Sequence, residues 1–167
     1  MSATVFVLVI IAAFLHALWN SMTKASGKPE LTIASYQIVG TVICMFLAPW
    51  LPFPNASSWP MIIGSVIIHN FYYFTLAQAY RSGDLSQVYP IFRGGAPILA
   101  TCGAVVFADE YLPLITITGI ALISIAIASI AFDRRQFGKL PKNALLWALL
   151  TATLIASYTV IDGLGVR

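Results

Sequence analysis

The sequence predicts an all-α, polytopic membrane protein with about six transmembrane helices. Three observations predict it. Of the 167 residues, 59% are apolar and only 9% are charged, against roughly 25% charged in an ordinary soluble domain. So few charges cannot solvate the surface of a soluble globule around that much apolar content. The charges are also clustered: residues 1–23 carry none, and residues 31–80 contain no Lys, Arg, Asp or Glu. About 20 apolar residues span the hydrocarbon core, so the second stretch alone can hold two crossings. Finally, Pro, Gly, Asn and Ser gather between the apolar runs, where turns are needed.

The first span covers residues 3–23; it lacks a basic n-region and runs too long before Lys24 to be a cleaved signal peptide, so it reads as a retained helix. Lys24 to Glu30 forms the first connection, where Gly27 can cap one helix and Pro29 can open the next. The second span, 31–51, ends at Pro52-Phe53-Pro54-Asn55-Ala56-Ser57-Ser58, a composition that stops a helix. The third, 60–80, turns at Arg81-Ser82-Gly83-Asp84, and the fourth, 86–108, turns at Asp109-Glu110. The fifth, 112–132, is followed by the longest polar segment, and the sixth covers 143–161. Trp50, Trp59, Tyr80, Tyr111 and Trp147 lie near span ends, where interfacial aromatics are expected.

Lys and Arg in short loops resist translocation. The odd-numbered connections hold Lys24, Lys28, Arg81, Arg134, Arg135, Lys139 and Lys142, and the even-numbered ones hold none, a bias of seven to zero. The odd connections are therefore expected in the cytoplasm and the N-terminus outside. An internal echo marks a second unit. With an offset of 139 residues, Ala13, Leu15, Ala17 and Trp19 align with Ala152, Leu154, Ala156 and Tyr158. Repeated units with an odd number of helices lie inverted in the membrane, as in many transporters.

The segment from Tyr80 to Ala100 reads YRSGDLSQVYPIFRGGAPILA. Pro90 and Pro97 each remove a backbone donor, with Gly94-Gly95 between them, so the fourth helix is expected to be kinked or locally unwound. Arg93 lies inside it. A central arginine costs about 2.5–3.5 kcal/mol on insertion scales and needs compensation. It either snorkels to an interface or bonds freed carbonyls, or it faces a polar cavity and attracts an anionic substrate group. On the first span His16, Trp19, Asn20 and Thr23 share one helical face. His69, Asn70, Tyr73 and Tyr80 add polar groups on the third, and Gln37, Gly40, Thr41 and Cys44 stripe the second. Taken singly, such residues read as interhelical hydrogen bonding; as a set they read as a cavity lining. The candidate substrate-binding residues are His16, Trp19, Asn20, Tyr73, Tyr89 and Arg93. Alanines every four residues at 96–108 and 144–156 read as close helix packing.

Several functions are disfavoured. Cys44 and Cys102 lie in apolar runs, without a CxxC or a metal-ligand spacing, so no disulfide framework or metal site is implied. The basic residues are dispersed over loops, which argues against a nucleic-acid partner. No hydrolase, nucleotide-binding or dinucleotide fingerprint occurs, so an enzyme is not expected, and no cofactor is called for.

The first helix ending in HALWNSMTKAS, the segment LAQAYRSGDLSQVYPIFRGGAPILA and the following FADEYLPLITITGIALI resemble the N-terminal unit of the EamA family in the drug/metabolite transporter superfamily. The resemblance covers residues 3–132, and ASYTVIDGLGVR is similar to the first helix of a second unit. It implies a five-helix unit over 1–132, a basic connecting loop over 133–142 and the start of an incomplete second unit over 143–167. It also implies a transporter, or its N-terminal part, in the cytoplasmic (inner) membrane, moving small polar metabolites such as amino acids by alternating access. The alternative is a truncated, non-transporting membrane protein or assembly subunit. The expected partners are the lipid bilayer, a small-molecule substrate, and either further copies of the chain or a missing second half. Related four-helix multidrug transporters carry a glutamate in their first helix, where this chain offers His16.

Overall fold

The computed structural model describes residues 2–131 and 140–166. Their helices are α1 (Ala3–Ala25), α2 (Pro29–Leu47), α3 (Trp59–Ser82), α4 (Leu85–Phe107), α5 (Leu114–Ala131) and α6 (Lys142–Gly165). Short 3-10 turns at Ala48–Trp50 and Ala56–Ser58 flank the loop between α2 and α3. The described residues contain no strand. Each helix coincides with one expected span, and the chain is an all-α, polytopic membrane protein. Counting adjoining turns, α1 to α4 and α6 are long and apolar enough to cross a bilayer, whereas α5 is shorter. The basic connection expected over 133–142 lies mostly outside the described residues.

The helix ends follow local chemistry. Ser2 caps α1, its Oγ accepting from the Val5 amide at 3.3 Å. Gly27 takes a φ of +68°, which glycine adopts without the Cβ penalty, and Pro29 occupies the first turn of α2. Past α4, Asp109 has a φ of 48°, and the Glu110 amide returns to the Ala104 carbonyl at 3.2 Å.

The core is built around α6, which packs mainly on α3 and α4, while α5 packs on α4. Ala144, Ala148 and Ala152 are 0% exposed, and they join Leu76, Ala77 and Ala79 of α3 and Val88, Phe92 and Ala96 of α4 in one buried cluster. The alanine stripe of α6 is therefore a contact face: without bulky side chains, helices in lipid approach closely enough for dispersion forces to hold them. The hydroxyls of Thr151 and Thr75 meet across the α6–α3 contact at 3.1 Å.

α4 corrects one half of an expectation, the local unwinding: it stays helical from Leu85 to Phe107 through both prolines. Pro97 has no amide hydrogen for the Arg93 carbonyl, yet the helix continues past it, packed on α5 and α6. At Gly94 α4 meets the backbone of α5. A Cβ there would sit 2.9 Å from the Ser124 carbonyl oxygen and 3.2 Å from the Ala128 nitrogen on α5. Because both are backbone atoms, neither can rotate away. Gly94→Ala should therefore lower stability by about 1–3 kcal/mol, the usual cost of overpacking. The check is thermal denaturation in detergent, where an unchanged midpoint would refute the tight α4–α5 contact.

Tyr80 corrects another. It is 1% exposed and not an interfacial aromatic. Its hydroxyl donates to Asn20 Oδ1, and its carbonyl accepts from Lys24 Nζ, which also donates to the Gly83 carbonyl at 2.6 Å. Asn20 and Lys24, one turn apart on α1, thus clasp the end of α3. The lysine charge suits the negative pole of that helix terminus. The clasp matters because α1 buries only Asn20 and Thr23. Trp50, Trp59 and Tyr111 are exposed near helix ends, as expected.

Lys24, Arg81, Ser82, Gly83, Asp84 and Pro141 line one cleft, and Arg81 pairs with Glu30 at 2.7 Å. The first and third connections and the start of α6 therefore share one end of the bundle. The opposite end carries Asp109 and Glu110 and no Lys or Arg among the described residues. With the native cysteines replaced, a cysteine at Ser82 should resist an impermeant thiol reagent in intact cells, and one at Tyr111 should react. Labelling of the Ser82 position before lysis would reverse the orientation.

Candidate functional site

The chemistry-bearing residues converge on a cavity of about 340 Å³. α1 supplies His16 and Trp19, α2 supplies Ile33, Tyr36 and Gln37, α3 supplies His69, Tyr72 and Tyr73, and α6 supplies Tyr158. Its size falls at the lower end of the range for small-molecule pockets.

One wall is a hydrogen-bonded pair. Trp19 Nε1–H donates to His16 Nδ1 at 3.1 Å. An indole nitrogen only donates, so His16 Nδ1 must be unprotonated and the ring neutral in this arrangement. Trp19 also meets Tyr36 edge to face, with centroids 6.2 Å apart. On the other wall, His69 stacks on Tyr158 at 4.0 Å and 28°. Its Nδ1 lies 3.0 Å from the Ser65 carbonyl oxygen and 3.2 Å from Ser65 Oγ, which anchors the ring to its own helix. Tyr72 lies 4.8 Å from Tyr73 and 5.7 Å from Tyr158, closing the ring cluster.

Of the six sequence-derived candidates, His16, Trp19 and Tyr73 line this cavity. Asn20 lies one turn below, buried, with Nδ2 donating to the His16 carbonyl at 2.7 Å and Oδ1 accepting from Tyr80. It supports the wall from behind. Tyr89 and Arg93 form a pair on α4, the guanidinium carbon 5.8 Å from the ring centroid. Arg93 is half-buried and makes no hydrogen bond or ion pair with any described residue. No described residue engages any of its five N–H donors. Neither residue of the pair is in the cavity lining.

Tyr36, His69, Tyr72 and Tyr158 join the site beyond those candidates. The echo held a signal for Tyr158: it aligns with Trp19, and the two echo partners occupy the same cavity. Asn70, by contrast, is exposed and bonds the Val66 carbonyl of its own helix at 2.8 Å. A larger groove of about 560 Å³ between α4 and α6 is lined mostly by apolar side chains such as Leu99, Val106, Phe107, Val160 and Leu164. That surface suits acyl chains better than a polar solute. Among the described residues, no three His, Cys, Asp or Glu side chains gather closely enough to hold a metal ion. No family model, curated protein or solved structure matches the chain.

Proposed function

We propose that this chain is a secondary transporter of small polar metabolites, or the N-terminal part of one, working by alternating access in a cytoplasmic membrane. The observation that carries this reading is the aromatic, histidine-bearing cavity between four helices, and Arg93, which has no hydrogen-bonding or ionic partner among the described residues, supports it. A membrane arginine without a partner is costly and is usually kept for a substrate or ion. The resemblance to the EamA unit supports the same reading, and amino acids are the metabolite class it suggests. The occupancy of one cavity by Trp19 and Tyr158 fits two structural repeats meeting at a shared site.

α2 favours a further element of the assembly. Gln37 and Thr41 are exposed on its stripe and make no side-chain hydrogen bond with a described residue. Polar side chains inside a bilayer seek partners, and an opposing unit or a second copy would supply them. Alternating access needs such a partner to rock against.

Uptake into reconstituted vesicles is the test. The protein should carry labelled small metabolites faster than protein-free vesicles, and Tyr158→Ala should lower that flux severalfold without lowering the folded fraction. Equal flux in Tyr158→Ala would move the route out of this cavity. No flux above protein-free vesicles for any metabolite, with the chain or with its assembled partner, would reject transport.

A further inference from the structure

The polar atoms of the cavity narrow the kind of solute it can hold. Tyr36, Tyr72, Tyr73 and Tyr158 each bring a hydroxyl to its lining, Gln37 an amide and His16 an imidazole. Neither the hydroxyls nor the amide make a hydrogen bond with a described residue. His16 uses Nδ1 to accept from Trp19 at 3.1 Å, so the proton of its neutral ring sits on Nε2, a donor with no partner among the described residues. Tyr72 is 7% exposed. Its oxygen is not sealed in: among the described residues Ser124 Oγ is the buried side-chain atom left unpaired, so the Tyr72 hydroxyl keeps its access through the cavity. Buried polar groups are nearly always hydrogen-bonded, so Tyr72 and its neighbours imply a bound partner that completes them.

We infer that the cavity binds a nitrogen heteroaromatic ring of the nucleobase kind, its faces against the aromatic walls and its edge hydrogen-bonded to these groups. This inference rests on the cavity being the substrate site. The walls supply the ring assignment: Trp19 meets Tyr36 edge to face at 6.2 Å, His69 stacks on Tyr158 at 4.0 Å, and Tyr72 and Tyr73 lie 4.8 Å apart. A flat π-system meets such rings through offset and edge-on contacts that a saturated solute lacks. Every nucleobase has a π-face that stacks on aromatic side chains.

The unpartnered groups supply the edge. Hydroxyls and amides both donate and accept, whereas His16 Nε2–H only donates, so the ring must present at least one acceptor and can use donors beside it. Ring carbonyls and ring N–H groups give such an edge. A plain hydrocarbon ring would leave all of these groups unpaired, and a polyol would leave the aromatic walls without a flat partner. No Asp, Glu, Lys or Arg lines the cavity, so hydrogen bonds make the polar contacts inside it. A charged group elsewhere on the solute, such as one reaching Arg93, lies beyond these walls. The volume, about 340 Å³, suits a solute of one or two rings.

Equilibrium binding to the detergent-solubilised full chain tests this with three uncharged probes: uracil, 5,6-dihydrouracil and 1,3-dimethyluracil. Dihydrouracil keeps the carbonyls and N–H groups of uracil and loses the flat π-system. Dimethyluracil keeps the flat ring and the carbonyls and loses both N–H donors. Uracil should bind about tenfold or more tightly than either, a difference of ~1.4 kcal/mol. Tyr158→Leu should erase the preference over dihydrouracil. Should that variant fail to fold, Tyr36→Leu on the exposed face of α2 serves in its place, with a reduced preference expected. Tyr72→Phe keeps the ring and should preserve the preference while weakening uracil binding severalfold. Its lost hydroxyl makes no bond in the fold, so the variant should fold as the parent does. Dihydrouracil binding as tightly as uracil would overturn the ring assignment. Dimethyluracil binding as tightly, or unchanged uracil affinity in Tyr72→Phe, would overturn the hydrogen-bonded edge, and no binding by any of the three would overturn both. Uracil binding without flux would leave this inference standing and remove transport. Flux that depends on Tyr158, with none of the three probes bound, would do the reverse.

Discussion

Replacing Arg93 by Gln should reduce substrate flux per folded protein by about tenfold or more, equivalent to losing at least ~1.4 kcal/mol of interaction with the bound anion. On the proposed reading the arginine would contribute two separable effects. Its charge would attract an anionic substrate group in a poorly screened setting, and its planar fork would orient that group through two parallel hydrogen bonds. Lys keeps the first and loses the second, so Arg93→Lys should fall between Gln and the parent. A purely structural arginine predicts the opposite order for expression and flux. Gln is cheaper to place in lipid, so it would express as well or better and transport normally. Flux must be divided by folded protein, because a misfolded variant mimics a binding defect. Parent-like flux per folded molecule in Arg93→Gln would take the arginine out of the site and leave the His16 and Trp19 wall to carry it.

Breaking the α1–α3 clasp should have the largest effect on stability. Tyr80→Phe removes the hydroxyl that donates to Asn20 Oδ1 and strands that oxygen at a position only 2% exposed. An interhelical hydrogen bond in a membrane protein averages about 0.6 kcal/mol, because the separated helices find other partners. Leaving a polar atom buried and unpaired costs more, about 1–3 kcal/mol. The single variant should therefore lie in the higher range. The double variant Asn20→Ala with Tyr80→Phe should cost less than the sum of the two singles, because it leaves neither group stranded. Lys24→Met removes the cation from the carbonyl end of α3 and should add to the loss. The readouts are thermal denaturation and protease access to α1, which has little other burial to hold it. Additive costs in the cycle, or unchanged protease access in Lys24→Met, would show that lipid packing holds α1 instead.

Much of the architecture was legible along the chain. Six apolar runs became six helices within a few residues of their expected ends, because apolar length and polar punctuation are local properties and the bilayer imposes its thickness on each segment separately. The polar face of α1 was legible for the same reason: His16, Trp19, Asn20 and Thr23 project together at helical spacing, and they are among its least exposed residues. The alanine ladder of α6 announced a contact face, although nothing in its spacing named α3 and α4 as the helices it would meet.

What each polar residue does was decided elsewhere. Asn20 and Trp19 are neighbours on one face, yet Asn20 is sealed against Tyr80 while Trp19 lines the cavity, because the Tyr80 side chain of α3 reaches α1 at the lower turn and the cavity opens at the upper one. Tyr80 sits at a span end like Trp59, but only the position of Asn20 and Lys24 makes it a buried anchor and not an interfacial ring. Pro90 and Pro97 favour unwinding by backbone chemistry, and α4, packed on α5 and α6, nonetheless stays helical through both. By itself the sequence determined the membrane class, the number of helices, the polar face of α1 and the charge difference between the two ends, since each depends on neighbours in the chain. Tertiary structure alone decided that His69 and Tyr158, 89 positions apart, stack on one another. It also decided that Arg93 has no hydrogen-bonding or ionic partner among the described residues, because those outcomes depend on which helices pack and at what height, which no local pattern encodes.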